Sequence, residues 1–257
     1  MKFVTDRLPA RSAKPRSAGV TMVMDKGISV QEVENFLSAN EPYVDIVKLG
    51  FGTSAVTPHL KEKIAVYKKY KMPVYFGGSL LEWFYAHKAL DEYQRLMDEY
   101  GINHCEVSDG TLDIPHDEKC GIISMLAKSR TVLSEVGSKD AEKIIPPYKW
   151  IKLMNEELDA GAWKVIAEAR EGGNVGIYRG TGEVREGLVE EILTQIPSEK
   201  ILWEAPNKAQ QVFFIKLLGT DVNLGNIPVN EVIPLETLRV GLRGDTMKWF
   251  LEKEKVV

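Results

Sequence analysis

Short apolar runs of strand length recur along the chain, and most of them stop on a charged residue. The clearest covers residues 164–167 and is followed at once by Glu168 and Arg170. Alternate side chains of an extended chain share a face, so these two charges should point the same way at the carboxyl end of the run. Further runs end on Asp25, Lys48, Glu106, Glu135 and Glu204. Strands that carry charges at one end are typical of a barrel with its site on the C-terminal face.

Segments with helical signals separate these runs. Ser29 and Glu32 form the pattern of a capping box, and Pro58 stands where a helix would begin. The predicted strands cover residues 19–24, 44–49, 73–76, 103–107, 131–135, 164–167, 200–204 and 221–226. The predicted helices cover residues 29–39, 58–70, 117–128, 148–160, 183–196 and 208–219, with a helical region between 79 and 100 and a last helix that runs to 242. This alternation predicts an α/β fold, a single (β/α)8 TIM barrel.

The alternative architecture is an open, doubly wound sheet. It is disfavoured because no Gly-x-Gly-x-x-Gly turn follows the first predicted strand. A chain of 257 residues suits one barrel domain, residues 1–257, with a basic N-terminal extension over residues 1–17. A glycine-rich segment, residues 172–182, is predicted to be a lid or binding loop.

Composition and charge exclude several classes of protein. A net charge of -4 gives no electrostatic footprint for nucleic acid. No apolar stretch reaches the roughly 18 residues of a membrane span, and the first 16 residues lack the apolar core of a secretory signal. Two cysteines cannot form a disulfide scaffold. We therefore expect a cytoplasmic protein without nucleic-acid or membrane partners, and the oligomeric state stays open, a homo-oligomer included.

If the strand ends meet at one mouth, their carboxylates surround a few cationic side chains. The cations are Lys48, Lys139 and Arg170, and like charges crowded in a partly dry cavity repel unless cations balance them. A hard cation such as Mg²⁺ is the expected occupant, because it prefers carboxylate oxygens and water. Zinc is disfavoured, since the four histidines are scattered. The competing interpretation is that such charges are structural partners, above all Glu168 with Arg170.

The loops after the last two strands are predicted to hold phosphate. Asn207, Gly225 and Asn226 lie where this fold often binds phosphate, although both asparagines could instead cap helices. Lys26, in the turn after the first strand, is a further predicted substrate ligand. Arg239 and Arg243 are expected on the outside of the barrel, in surface or subunit contacts.

Nine motifs, in order along nearly the whole chain, resemble those of the phosphosulfolactate synthase family. They are residues 14–16 (KPR), 25–27 (DKG), 48–54 (KLGFGTS), 77–82 (GGSLLE), 106–110 (EVSDG), 135–139 (EVGSK), 168–171 (EARE), 203–206 (WEAP) and 238–246 (LRVGLRGDT). The resemblance implies a (β/α)8 barrel of the carbon-sulfur lyase class. With Mg²⁺ it would add sulfite to phosphoenolpyruvate to give (2R)-2-phospho-3-sulfolactate, the first step of one coenzyme M route. Plant heat-stress-associated proteins and bacterial proteins are among the relatives.

Roles in that reaction can be assigned to the charged residues. Lys139 is the predicted acid that protonates C2, with Lys48 as second choice, and Arg170 with the remaining lysine would bind the anions. The predicted metal ligands are Glu106, Glu135 and Glu168, with Asp25 and Glu204 as alternates.

One departure from the family pattern leaves substrate identity open. Gly172 stands where a serine is usual, which removes a hydroxyl group that could bind an anion. Two other functions therefore remain. One is a non-catalytic barrel that acts as a stress-related binding protein, and the other is a metal-dependent lyase on another phosphorylated enol acid.

Overall fold

The computed structural model describes residue 4 and residues 6–139 and 145–254, and it shows eight strands that alternate with helices. The strands are β1 (Thr21–Asp25), β2 (Ile46–Leu49), β3 (Val74–Phe76), β4 (His104–Val107), β5 (Thr131–Val136), β6 (Lys164–Ala167), β7 (Ile201–Glu204) and β8 (Leu224–Pro228). The helices are α1 (Val30–Asn40), α2 (Leu60–Lys69), α3 (Gly78–Ala86), α4 (Leu90–Glu99), α5 (His116–Ala127), α6 (Pro147–Asp159), α7 (Glu186–Leu193), α8 (Lys208–Leu218), α9 (Val232–Arg239) and α10 (Gly244–Glu254).

The strands form one parallel sheet that curves into a ring. Their order is β3-β2-β1-β8-β7-β6-β5-β4. The end strands β3 and β4 pack against each other, and between the described residues of these two strands there is no paired ladder. The predicted single (β/α)8 TIM barrel is therefore confirmed.

Register brings the carboxyl ends of the strands to one edge of the barrel. Lys48 lies opposite Tyr75, and Glu204 lies opposite Gly225. Helices cover the outside of the sheet, so the strands are buried on both faces, as parallel strands usually are. The C-terminal edge carries Asp25, Lys48, Glu106, Glu135, Glu168 and Glu204. Among the described helices, none combines the length and apolar content that crossing a bilayer requires.

Two helix predictions had the wrong extent. The helical region between residues 79 and 100 is two helices, α3 and α4, because Lys88 between them adopts a left-handed backbone with φ of 56°. The last predicted helix, which ran to residue 242, ends at Arg239, because Gly241 takes φ of 70°, and an unpredicted helix, α10, starts at Gly244. Only glycine adopts this backbone without strain, which explains the break at Gly241. At the break between α3 and α4 the left-handed residue is Lys88, a residue type that does not predict such a backbone.

The N-terminal extension lies across the opposite end of the barrel from the charged edge. Arg11 forms ion pairs with Glu236 at 3.1 Å and Asp221 at 3.2 Å, and Arg16 pairs with Asp45 at 3.0 Å. Asp45 immediately precedes β2, and Asp221 precedes β8. These contacts hold the extension over the N-terminal ends of the strands.

Arg239 closes the same end from within, so its predicted position on the outside was wrong. It is fully buried, and its Nη1 donates at 2.7 Å to the backbone oxygens of both Thr220 and Val222. Burial lowers the pKa of Arg239 to about 9, with the neighbouring charge of Arg11 as a further cause. The side chain therefore has a structural role: it fills this end of the barrel and donates hydrogen bonds to two buried carbonyl groups.

Replacing Arg239 by alanine is expected to lower the free energy of unfolding by about 3 kcal/mol, since it leaves a cavity and two unpaired carbonyl groups. Urea denaturation followed by circular dichroism measures this change. Arg95→Ala is the matched control, because the Arg95 side chain is 74% exposed. Equal stability of the two variants would contradict the structural role of Arg239.

Candidate active site

A cavity of about 390 Å³ opens at the C-terminal edge of the barrel. Its charged lining residues are Lys48, Glu106, Glu135, Lys139, Glu168, Arg170, Glu171 and Glu204. They come from β2, β4, β5 and β7 or from the loops after β5 and β6. The structure thus brings together most of the side chains that the strand-end pattern predicts to meet.

Lys48 lies at the centre of this group. Its Nζ is 3.0 Å from Glu106, 3.4 Å from Glu204 and 3.6 Å from Glu135. Burial would lower the pKa of Lys48, but the three carboxylates outweigh it and raise the pKa well above its usual value. The side chain is therefore a permanent cation that balances part of the acidic charge.

Glu106 has protein partners for both carboxylate oxygens. Oε1 accepts the amide N–H of Gly78 at 2.7 Å, and Oε2 accepts the hydroxyl of Tyr75 at 3.1 Å beside the Lys48 ammonium. Burial raises the pKa of Glu106, and Lys48 opposes that rise. With these partners in place, the carboxylate is occupied in holding Lys48.

Three other carboxylates form a group that can hold a metal ion. Glu135, Glu168 and Glu204 each offer one oxygen, and the three oxygens lie within 4.8 Å of one another. Glu168 Oε2 is buried and has no hydrogen-bond partner within the described chain. Two of the predicted ligands thus lie together with the alternate Glu204, whereas Glu106 is not in this group. Which carboxylates bind a metal stays a prediction, and the geometry favours Glu204 over Glu106.

The electrostatics of this group differ from residue to residue. Burial and the carboxylates of Glu135 and Glu204 raise the pKa of Glu168 well above its usual value. Burial would raise the pKa of Glu135 as well, but the charges of Lys139 and Lys48 outweigh burial and hold this pKa well below its usual range. Burial raises the pKa of Glu204 to about 7. Three buried carboxylates with an unpaired oxygen are a suitable donor set for a hard divalent cation.

Lys139 extends from the loop after β5 over the same carboxylates. Its Nζ is 3.1 Å from Glu135, 3.4 Å from Glu82 and 3.9 Å from Glu168, and it donates to Ser108 Oγ at 3.2 Å. The acidic neighbours outweigh burial and raise the pKa of Lys139. The ammonium is thus charged and lies beside the three carboxylates that can hold a metal ion.

Arg170 borders the cavity from the loop after β6. Its backbone is left-handed, with φ of 57°, and its amide N–H donates to Glu168 Oε1 at 2.6 Å. The predicted pairing of Glu168 with the guanidinium is not observed. In the part of the chain that the structure describes, the guanidinium has no hydrogen-bonding or ionic partner. A cation that is exposed at the mouth in this way is suited to bind an anion.

The predicted glycine-rich loop is attached to the barrel by three side chains, those of Gln210, Tyr178 and Asn207. Gln210 on α8 donates to the backbone oxygens of Gly173 at 2.8 Å and Gly182 at 3.1 Å. The hydroxyl of Tyr178 donates to the backbone oxygen of Glu204 at 2.5 Å. Gly172 does not border the cavity, and its carbonyl accepts from the side chain of Asn207.

Asp25 and Lys26 do not line the cavity. Asp25 is fully buried, and its carboxylate accepts the Tyr67 hydroxyl at 2.8 Å and pairs with Lys63 at 2.6 Å. It also accepts two backbone N–H groups of the turn after β1, while Lys26 is exposed. These contacts make Asp25 a structural anchor for α2.

Of the three predicted phosphate ligands, only Asn226 lines the cavity. It has a left-handed backbone with φ of 54°, and its buried Oδ1 has no partner among the described residues. Asn207 caps the start of α8, where its backbone N–H donates to Gln210 Oε1 at 3.2 Å. Gly225 is buried, and an added Cβ would lie 2.9 Å from Met22. Asn207 and Gly225 thus have structural contacts outside the cavity.

Two further residues of the site were not predicted as functional. Glu82 and Ser108 are buried and both contact Lys139. Both lie in motifs that resemble those of the family, residues 77–82 and 106–110. The available signal was a glutamate directly after two leucines in a helix, a position that is usually apolar when it faces the sheet.

Comparisons with known proteins agree on family and fold. A family model described as (2R)-phospho-3-sulfolactate synthase (ComA) matches residues 9–245. A phosphosulfolactate synthase of Methanothermobacter thermautotrophicus is 42% identical over 245 residues, which cover 93% of this chain and 95% of the relative. Another, from Bacillus subtilis, is 41% identical over 242 residues, which cover 93% of this chain and 96% of the relative.

Among solved structures, 3-hexulose-6-phosphate synthase from Salmonella typhimurium superposes with a TM-score of 0.56 at 14% identity, over 85% of this chain and 97% of that chain. At this identity the likeness concerns the fold alone.

Proposed function

The chain belongs to the (2R)-phospho-3-sulfolactate synthase family, and from this premise we propose that its cavity adds sulfite to phosphoenolpyruvate with the help of Mg²⁺. The product would be (2R)-2-phospho-3-sulfolactate, and the reaction would be of the carbon-sulfur lyase class. The supporting observation is that one cavity holds three clustered carboxylates together with Lys48, Lys139 and Arg170. A reaction that joins two anions needs this mixture of charges.

We assign the metal site to Glu135, Glu168 and Glu204. Their oxygens lie within 4.8 Å of one another, and Glu168 Oε2 has no hydrogen-bond partner in the described chain, although Lys139 Nζ lies 3.9 Å from it. When bound, a divalent cation supplies Lewis-acid stabilisation of the negative charge that builds up on the substrate carboxylate. Glu106 is reserved for Lys48, which it holds at 3.0 Å.

The cationic side chains bring the two anions together and supply a proton. Arg170, at the mouth, binds one of the anions, and Lys48, at the centre, screens the acidic floor of the cavity. Sulfite forms a C–S bond at C3 of phosphoenolpyruvate, and the π electrons of the C2–C3 double bond move towards C2 and the carboxylate. Lys139 then donates a proton from Nζ to C2, which completes the addition.

Asn226 is the proposed contact for the phosphate group. It lines the cavity, and the buried end of its side chain lacks a partner among the described residues, so either end of the amide is free to face a ligand. A left-handed backbone at a non-glycine residue is sparsely populated and is often found at functional sites. The product, a phosphorylated sulfonate, would supply coenzyme M biosynthesis or a related sulfonate pathway.

The proposal is tested by incubating the protein with phosphoenolpyruvate, sulfite and Mg²⁺ and analysing the products by mass spectrometry. We expect a phosphorylated, sulfonated three-carbon acid that forms only when all three components are present. Controls without sulfite and without Mg²⁺ identify the requirement for each. Absence of this product would overturn the proposal. Turnover of phosphoenolpyruvate without sulfite would instead indicate a metal-dependent lyase that does not require sulfite.

A further inference from the structure

The side chain of Lys139 lies against a loop of another strand. This loop, residues 108–112, follows β4, and the amide N–H of Lys139 donates to the backbone oxygen of Gly110 at 3.2 Å. A Cβ added at Gly110 would lie 3.1 Å from the Cγ, Cδ and Cε atoms of Lys139. The aliphatic part of the lysine therefore packs closely against Gly110, and a side chain at residue 110 would displace it by a few tenths of an ångström.

Glu82 holds this loop in place. Its Oε2 accepts the amide N–H groups of Thr111 at 2.9 Å and Leu112 at 2.8 Å, and its Oε1 accepts the hydroxyl of Ser108 at 2.7 Å. The carboxylate is only 2% exposed and does not border the cavity. One side chain on α3 thus fixes three groups of the loop on which Lys139 lies.

The same two residues also contact the ammonium group. Lys139 Nζ is 3.4 Å from Glu82 Oε1 and donates to Ser108 Oγ at 3.2 Å. Ser108 has a single hydroxyl proton, and its shorter contact is with Glu82 at 2.7 Å, compared with 3.0 Å to Glu135. The lone pairs of Ser108 Oγ therefore accept from Lys139 Nζ and from the backbone N–H of Gly110, the latter at 3.3 Å. Together these contacts define where the ammonium lies along the wall of the cavity.

We propose that Glu82 is a positioning residue, which sets the reach of Lys139 through Ser108 and through the loop that carries Gly110. A misplacement of about 1 Å in a reacting group can lower a rate by about 100-fold, so such a holder matters for proton delivery. The inference rests on the proposed function for the role of Lys139 as proton donor. The arrangement of Glu82, the loop and the lysine side chain does not depend on the substrate.

Two substitutions test this proposal from different sides. Glu82→Gln keeps the shape but removes the charge, and Gly110→Ala pushes the Lys139 side chain away by adding a Cβ. We expect each to lower kcat by about 10- to 100-fold with the KM for phosphoenolpyruvate unchanged. The solvent deuterium isotope effect on kcat should rise, because proton delivery becomes slower. Gly121→Ala is the matched control, since an added Cβ at Gly121 has nothing within 4 Å.

A purely structural role predicts a different result. Loss of folded protein would lower the amount of active enzyme and Tm but would leave the isotope effect unchanged, and that outcome would overturn the proposal. Wild-type kcat in Glu82→Gln would overturn it as well. If Glu82→Gln does not fold, Gly110→Ala with the Gly121→Ala control decides the question by the same measurements.

A substrate-free measurement separates this inference from the proposed function. Methyl acetimidate labels accessible lysine amines, and mass spectrometry of peptides gives the rate at Lys139 relative to the other lysines. We expect faster labelling of Lys139 in Glu82→Gln and Gly110→Ala than in the parent protein and in Gly121→Ala. Equal labelling in all four proteins would overturn the positioning role even if the sulfite reaction were confirmed. Faster labelling would support it even if that reaction were absent.

Discussion

Replacing Lys139 by methionine is expected to lower kcat of the sulfite reaction by about 10²- to 10⁴-fold, the usual contribution of a positioned general acid. Methionine keeps an unbranched side chain against Gly110 but has no N–H group to donate to C2. Binding of phosphoenolpyruvate should persist, because Arg170 and Asn226 remain at the cavity. Initial rates of product formation measure the first effect, and isothermal titration calorimetry with Mg²⁺ measures the second.

Two other lysine variants serve as controls for this result. Lys61→Met changes an exposed residue of α2 and should behave as the parent protein. Lys48→Met removes the cation at the centre of the carboxylates and should impair folding or substrate binding as well as turnover. If Lys139→Met keeps normal turnover while Lys48→Met binds substrate without turning it over, the acid is Lys48 and our assignment is wrong.

Replacing Glu168 by glutamine is expected to change stability and cation binding in opposite directions. In the metal-free protein burial and the neighbours Glu135 and Glu204 raise the pKa of Glu168, so a neutral amide should leave Tm unchanged or raise it. The amide is a weaker ligand, and the affinity for Mg²⁺ should fall by at least about tenfold, since even outer-shell changes cost about 10- to 100-fold. Thermal unfolding at increasing MgCl₂ concentrations measures both effects, because ligand binding raises Tm.

Glu106→Gln is the matched control for the metal site. Glu106 already bonds Gly78, Tyr75 and Lys48, so its loss should lower Tm while the Mg²⁺-dependent rise in Tm is retained. Removal of divalent cations with EDTA should lower activity of the parent protein by at least about 100-fold, given that a metal ion supplies several kcal/mol. A parent-like Mg²⁺ affinity in Glu168→Gln would remove Glu168 from the ligand set.

The barrel could be predicted because the signal for it is local. Each strand is a short apolar run, and the charged residue after it marks the carboxyl end, as residues 164–167 with Glu168 illustrate. The break between α3 and α4 could not be predicted. Lys88 adopts a left-handed backbone there although neither a glycine nor a proline stands at the position. Tertiary packing of the two helices overrides the continuous helical pattern.

The positions of individual side chains at the strand ends could be predicted only in part. Asp25 and Glu106 end apolar runs in the same way, yet Asp25 contacts Tyr67 and Lys63, whereas Glu106 faces the cavity. Lys63 and Tyr67 lie 38 and 42 residues after Asp25 in the sequence. A pattern within one strand carries no information about them. The sequence therefore identified the edge of the barrel but not the partner of each charge.

The role of Glu82 could not be predicted either, because it also depends on partners that are distant in the sequence. A glutamate near the start of a predicted helix is usually explained by favourable interaction with the helix N-terminus, and a serine such as Ser108 after a strand by turn formation. Their importance follows from three-dimensional proximity to Lys139 alone.

The bonds of Glu106 have one more consequence. Between the described residues of β3 and β4 there is no backbone ladder, and there this glutamate on β4 accepts from the Tyr75 hydroxyl of β3 and contacts Lys48 of β2. Polar side chains at the cavity thus join β3 to β4, whereas backbone hydrogen bonds join the other neighbouring strands of the barrel. This constrains the evolution of a new substrate preference on this side of the cavity. Substitutions of Glu106, Tyr75 or Lys48 that altered the cavity would also weaken the closure of the barrel.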